Sequence, residues 1–340
     1  MKRRYFLMGA AGMAACGRDR RPRLNVFNWS DYIAPDTVPK FETEFGVRVR
    51  YGIYESNEEM LARVMGGNSG WDVVFPTDYI VKPMLANDLL GPVHREELPN
   101  IAQLEPRFQH PDWDPELKWS VPYMVIAAGI AYNRKLNPPP TKWADLWDER
   151  LRGRITMLDD PFDVIGACLK KLGLSVNSSD PGELRRAQAE AIRQKRLLRA
   201  YLNAEVRDQL VSGDVLAAHM WNTTAQQAMD ASPDIGFAYP EEGYAVYPDC
   251  AVILRESKRP ELAHKFLQFL LRPDIAAANA LAARTTTTNA GARKILPPAF
   301  RDSLTLYPGA DVIARGEWAK TTDPASQRLR DRLWTEIKSA

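Results

Sequence analysis

Apolar positions in the first hundred residues come in three short bursts, each followed by a polar turn and then a helical period. Leu24, Val26 and Phe27 make the first burst, which stops at Asn28 and runs into Trp29-Ser30-Asp31-Tyr32. Asp36 then has the place of an N-cap for a helix ending at Gly46. Val47, Val49, Tyr51 and Ile53 alternate on one face, the period of a strand. Ser56 and Glu59 have capping-box spacing and open a helix through Met60, Leu61 and Val64, stopped at Gly66-Gly67. Residues 72–75 form a third strand, followed by Pro76-Thr77-Asp78-Tyr79 and a helix toward Leu90. Three strand–turn–helix units in a row predict an α/β fold with a parallel sheet wrapped by helices.

A polar, proline-bearing excursion over 98–118 separates these units from 121–132, a stretch of β-branched and small apolar residues that predicts strand leaving the first domain. New material follows Pro138-Pro139-Pro140: a helix over 143–147, a strand over 155–158 and a helix over 161–172. The charged helix 183–196 has a thin apolar face, and a helix over 206–211 and a strand over 215–221 come next. Strands at 235–239 and 251–254 lead back, and amphipathic helices start at Pro260 and Pro273. After Thr285-Thr286-Thr287-Thr288 the pattern ends in a charged helix to Ala340. Two crossings between the halves, at about 121–132 and 235–254, predict discontinuous domains joined by a hinge, which suits closure around a ligand.

Length supports the division, since 340 residues exceed what one small core organises. Charged residues are 26% and hydrophobic ones 45%, an ordinary globular composition, and a net charge of +2 makes no electrostatic case for nucleic acid. The start of the chain differs from the rest. Lys2-Arg3-Arg4, the apolar run 5–15 and Met13-Ala14-Ala15-Cys16-Gly17 read as an export signal over residues 1–15, too short to be a permanent span. Small residues before a cysteine resemble a bacterial lipobox, with Cys16 as a lipidated mature N-terminus; Arg3-Arg4-Tyr5-Phe6-Leu7 also looks like a twin-arginine signal. A plain secretory signal with an incidental Cys16 is the alternative. Removing one Lys and two Arg with the signal leaves 42 bases against 43 acids. The expected location is periplasmic or extracytoplasmic and membrane-anchored.

Catalytic and metal signatures are absent: no glycine-rich phosphate loop, no G-x-S-x-G, no H-E-x-x-H, and His94, His110, His219 and His264 without ligand spacing. Cys168 and Cys250 read as two separate buried thiols. What recurs is a carboxylate beside an aromatic at the end of an apolar strand. It occurs at Trp29-Ser30-Asp31-Tyr32, Thr77-Asp78-Tyr79, Asp159-Asp160-Pro161-Phe162-Asp163 and Tyr247-Pro248-Asp249, with Trp221 after another strand. Singly, Asp160 or Asp163 is a helix cap and Trp29 or Trp221 a packing aromatic. Together they suit an organic cation, because carboxylates neutralise ammonium groups while aromatic faces attract cations and cover methylenes.

Longer stretches carry a family likeness. FNWSDYIAP (27–35), YESNEEMLARV (54–64), DVVFPTDYIV (72–81), VPYMVIAAGIAYN (121–133), TKWADLW (141–147), MLDDPFDV (157–164), MWNTTA (220–225), FLLRPDIA (269–276) and LYPGADVIARGEW (306–318) resemble the bacterial spermidine/putrescine-binding proteins of polyamine ABC transporters. The likeness runs in order from about Leu24 to beyond Trp318.

It implies a two-lobed periplasmic-binding fold of type II, each lobe a mixed sheet flanked by helices, with hinge strands between. Lobe 1 is expected over 23–125 and 250–293, and lobe 2 over 126–249 and 294–340. The resemblance assigns ligand binding to Trp29, Ser30, Asp31, Tyr32, Thr77 and Tyr79 from the first lobe. Asp160, Asp163, Trp221, Tyr247 and Asp249 come from the second lobe and hinge. Asp160, Asp163 and Asp249 are assigned to the amines, with Asp31 near the other end. Tyr247 stands in place of a common tryptophan and Asp163 in place of a glutamate. Thr285 falls near a family tyrosine, and Ala319 replaces a glutamine after Trp318.

The expected function is a solute receptor of an ABC importer that captures spermidine or putrescine, closes, and presents the ligand to a membrane permease. No catalytic residue, cofactor or metal is implied, and a monomer is expected. A same-fold receptor for another organic cation is the first alternative; an exported hydrolase using Asp160 and Asp163 is the remote one.

Overall fold

The computed structural model describes residues 20–340. Cys16 and the expected export signal therefore lie outside the described residues. Eleven strands form the framework: β1 (Arg23–Trp29), β2 (Arg48–Tyr54), β3 (Val73–Val74), β4 (Val121–Asn133), β5 (Ile155–Met157), β6 (Leu198–Tyr201), β7 (Ala217–Trp221), β8 (Ile235–Ala238), β9 (Tyr244–Ile253), β10 (Thr286–Thr287) and β11 (Gly316–Trp318). They pair in the order β2-β1-β3-β9-β4-β7-β5-β6. β1 lies parallel between β2 and β3, and β5 parallel between β6 and β7. Between these two parallel sets run β9 and β4, antiparallel to each other and to the strands they join. The molecule is thus two mixed sheets joined through two long strands, the two-lobed arrangement expected from the sequence.

Buried apolar residues divide along the same line. One core collects Leu24, Val26, Phe41, Val73 and Phe75 with Phe266 and Phe269, and takes Val121–Ile126 positions of β4. A second gathers Ile155, Met157, Leu169 and Leu184 with Leu333 and Ile337, and takes Ala127 and Ile130 of the same strand. The β4 strand therefore leaves one core and enters the other between residues 126 and 127. The helix Ala290–Ile295 spans the expected divide at residue 293, and Ala292 and Leu296 pack with Ala276 and Ala277.

Several local expectations meet physical detail. Gly46 ends the helix Thr37–Phe45 at φ +63°, the left-handed turn for which glycine carries no Cβ penalty. Asp36 precedes that helix without a side-chain cap bond; its carboxylate is held instead by Lys40, at 2.7 Å. Ser56 caps Glu59 N–H as the spacing predicts, but the Glu59 carboxylate accepts from Glu55 N–H, one residue before the cap. Residues 143–147 form a 3-10 turn, not an α-helix. Cys168 and Cys250 are both buried and free.

Candidate functional site

The carboxyl end of β1 and the strands crossing between the lobes border a narrow slot of about 80 Å³. At the end of β1, the Trp29 indole N–H donates to the Phe75 carbonyl (2.7 Å), and the ring tilts against Tyr54 with centroids 4.7 Å apart. Asp31 turns the chain at φ +50°, a left-handed conformation that costs a residue with a Cβ and that tends to gather at functional sites. Its neighbour Ser30 donates to Glu55 Oε2 (3.0 Å) at the rim.

Beneath the rim, Tyr32 and Thr77 reach one carboxylate. Tyr32 OH donates to Asp249 Oδ2 and Thr77 Oγ1 to Asp249 Oδ1, both at 2.8 Å. The Thr77 hydroxyl in turn accepts from Asn57 Nδ2 (3.0 Å), which fixes its proton on Asp249. Asp249 sits on β9, bridged across to Thr77.

The facing wall grows from the start of the helix Pro161–Lys171. Asp160 is its N-cap and accepts from Asp163 N–H (3.0 Å). Asp163, one turn in, receives Trp221 Nε1–H and Tyr247 OH on a single oxygen, Oδ2, each at 2.8 Å. Its other oxygen, Oδ1, is buried with no protein partner. Phe162 between them stacks on Tyr79 of the other wall, centroids 4.9 Å apart and planes 19° from parallel. The two walls therefore touch through aromatic faces.

Burial dominates the electrostatics. Desolvation raises Asp249 to about 7 against the pull of its two hydroxyl donors, and raises Asp163 to about 6 against Trp221 and Tyr247. Asp160 is pushed well above the carboxylate range, by burial first and the Asp163 charge second. No Lys, Arg or His lines the slot among the described residues. Carboxylates without a counter-charge, between aromatic rings, lower their own cost only when a cation enters.

The structure brings together Trp29, Ser30, Asp31, Tyr32, Thr77, Tyr79, Asp160, Trp221, Tyr247 and Asp249 as lining residues. Asp163 stands behind the wall, where it ties Trp221 to Tyr247. Glu55, Asn57, Thr223, Thr224 and Gln227 also line the slot and were not singled out. Asn57 lay hidden in a capping motif, while Thr223 and Thr224 follow Trp221 directly and share its signal. Thr285 is buried against the Val125 carbonyl and Ala319 lines a different cavity beside Trp318, so neither position touches the slot. Asp78 faces that same second cavity and is buried, neither a slot residue nor solvent-facing. His219 is buried against Trp143, and desolvation lowers it to about 3; it lies outside the slot. No group of described His, Cys, Asp or Glu residues is arranged to hold a metal ion.

Comparison with known proteins adds three findings. The family model for bacterial extracellular solute-binding proteins matches residues 36–303. A spermidine/putrescine-binding periplasmic protein of Escherichia coli is 33% identical over 333 residues, covering 97% of this chain and 95% of its own. A putrescine/cadaverine-binding protein of Pseudomonas aeruginosa is 31% identical over 352 residues, with 99% of each chain covered. Among solved structures, a Listeria monocytogenes protein provisionally assigned to spermidine/putrescine ABC transport superposes with a TM-score of 0.89. It is 30% identical, covering 93% of this chain and 98% of its own.

Proposed function

The chain belongs to the bacterial extracellular solute-binding proteins, and from that premise we propose that it is the polyamine receptor of an ABC importer. The observation that carries this reading is a slot with buried carboxylates from both walls, aromatic faces between them and no cationic side chain. Asp249, held by Tyr32 and Thr77, takes one ammonium. Asp160 takes another, and Asp163 supports it by fixing Trp221 and Tyr247 around the methylenes. Asp31 and Ser30 serve the rim. The lobes, 23–125 with 250 to about 296 and 126–249 with the remainder, rotate about β4 and β9. Closure is stabilised by the ligand only through contacts made to both walls at once.

Asp160 is engaged as a helix cap and Asp163 by two donors, which supports binding over hydrolysis by this pair. We place the mature protein outside the cytoplasm as a monomer held by a lipid on Cys16, where it meets a membrane permease. No described helix is long and apolar enough to cross a membrane.

Calorimetric titration with putrescine, cadaverine, spermidine and spermine tests the reading. Micromolar or tighter binding of one of them, lost in Asp249→Asn, is the expected result. No heat with any of the four, from folded and ligand-stripped protein, overturns the polyamine assignment. Titration with guanidino compounds and amino-sugar cations then tests the rival organic-cation reading. Fractionation of a Cys16→Ala chain tests the anchor: release from the membrane is expected.

A further inference from the structure

The opposite end of β1 carries a different chemistry. A shallow cavity of about 800 Å³ is lined by Arg20, Arg21, Arg23, Arg50, Lys258 and Arg259, all exposed, with Arg48 beside them near Glu42. The two acids in its lining are engaged inward: Asp72 accepts from Asn25 N–H (2.8 Å) and Ser257 Oγ (2.7 Å), and Glu256 accepts from Ser69 N–H (2.8 Å). Pairing of the strands sets Arg23 beside Arg48 and Asn25 beside Arg50. Arg23 and Arg48 are like charges at paired positions, an arrangement that disfavours the sheet and that Glu42, 3.6 Å from Arg48, eases. The Arg50 guanidinium lies 4.2 Å over the Trp71 ring, which is itself stacked on Phe27 (4.6 Å, 5°), so it is held splayed on a rigid aromatic floor.

We propose that this basic face rests on the anionic phospholipid headgroups of the membrane to which the chain is tethered. Charge complementarity to phosphodiesters is one argument. The other is position: Cys16 lies four residues before Arg20, at most about 14 Å of extended chain. A lipid on Cys16 brings this face, where the described chain starts, within reach of the headgroups. The slot begins at Trp29, six strand residues and about 20 Å further along β1. A molecule resting on its basic face therefore holds the slot away from the membrane, open to solute, and must lift off to deliver. The tether argument rests on the lipidation reading, which the Cys16→Ala fractionation tests separately.

The surface itself is tested without any lipid anchor. Full-length Cys16→Ala chain is sedimented with vesicles of phosphatidylcholine alone and of phosphatidylcholine mixed equally with phosphatidylglycerol, at low and physiological salt. Each basic residue near such a surface contributes about fivefold in affinity. The added changes Arg23→Gln, Arg50→Gln and Arg259→Gln should therefore weaken binding to the anionic vesicles by about a hundredfold. Arg185→Gln, Arg186→Gln and Arg332→Gln, on exposed helical faces elsewhere, serve as the reference set and should change it little. Unchanged polyamine titration in both sets establishes that they fold. Equal losses in the two sets, or no loss in the first, overturn the proposal, as does equal binding to both kinds of vesicle.

Discussion

Asp249 and Asp163 are both buried carboxylates that accept two side-chain hydrogen bonds, yet the donors are placed differently. Asp249 receives one donor on each oxygen, so both oxygens keep a free lone pair and the group is presented symmetrically. Asp163 receives both donors on Oδ2 and leaves Oδ1 bare. Within the slot Asp249 is the one carboxylate on β9, the buried Asp78 that feels its charge facing the second cavity, whereas Asp163 lies one helical turn from Asp160 and shares its burden. Burial first and the charge of Asp163 second raise Asp160, so the two groups of that corner titrate together. A solitary carboxylate is irreplaceable; a pair can redistribute.

The largest effect should come from removing the solitary group. Asp249→Asn leaves an ammonium buried without its partner, and affinity for the bound polyamine should fall at least about a hundredfold by calorimetry. Lowering the pH reaches both corners at once. The raised values of Asp249 (about 7) and Asp163 (about 6) mean that an ammonium must displace protons to bind. Affinity should therefore rise with pH and be about a thousandfold weaker at pH 5 than at pH 8 (about a hundredfold if Asp249 alone must ionise), with proton release measurable by titration in buffers of different ionisation enthalpy. The empty protein should show the opposite trend. Its native carboxyls hold protons that the unfolded chain gives up near pH 4, so thermal stability should decline as pH rises from about 4 to about 7 and level off above.

Asp160→Asn should cost less than the Asp249 change, about tenfold, because Asp163 remains and asparagine still caps the helix; a melting temperature that stays put would confirm that the loss is one of recognition. Smallest is Thr77→Val, which removes one neutral donor from Asp249 and should weaken binding by about fivefold. If Asp160→Asn proved as damaging as Asp249→Asn, the paired corner would not be sharing its load, and the contrast would fail.

The features that local chemistry determines were legible in the chain. Alternation gave β2 and the first strand, Gly46 marked its helix end, and four short carboxylate–aromatic stretches located most of the slot lining. The long β9 was not legible over its first half. Pro248 and Asp249 read as lying outside the strand that starts at 251, because proline offers no ladder donor and a carboxylate rarely sits mid-strand. Both are tolerated there because one edge of the strand changes neighbours, from β11 at Val246 to β3 at Val252, while pairing with β4 continues through Val125 and Met124. The two-residue β10 and three-residue β11 are too short to show any period. The bracing role of Asp163 depends on Trp221 and Tyr247, 58 and 84 residues away, and no local pattern encodes such a meeting.

The pairing of β3 with β9 also sets an order of events during synthesis. Val73 and Val74 pair with β1 on one side, but their partners on the other side come only with Ile253 and Val252, and the backbone of Ala34 finds Asn279. The strands β5 to β8 meet one another and β4 within residues 121–238, a far shorter loop to close. The sheet encoded in the middle of the gene can therefore form first, although its core is closed only by Leu333 and Ile337, while the sheet that begins the chain stays incomplete until β9 has been made. Through that interval the outer edge of β3 lacks its neighbour β9, and the aromatic and hydroxyl groups that follow β1 lack Asp249, leaving that half open to chaperones or to a translocation machine that threads unfolded polypeptide.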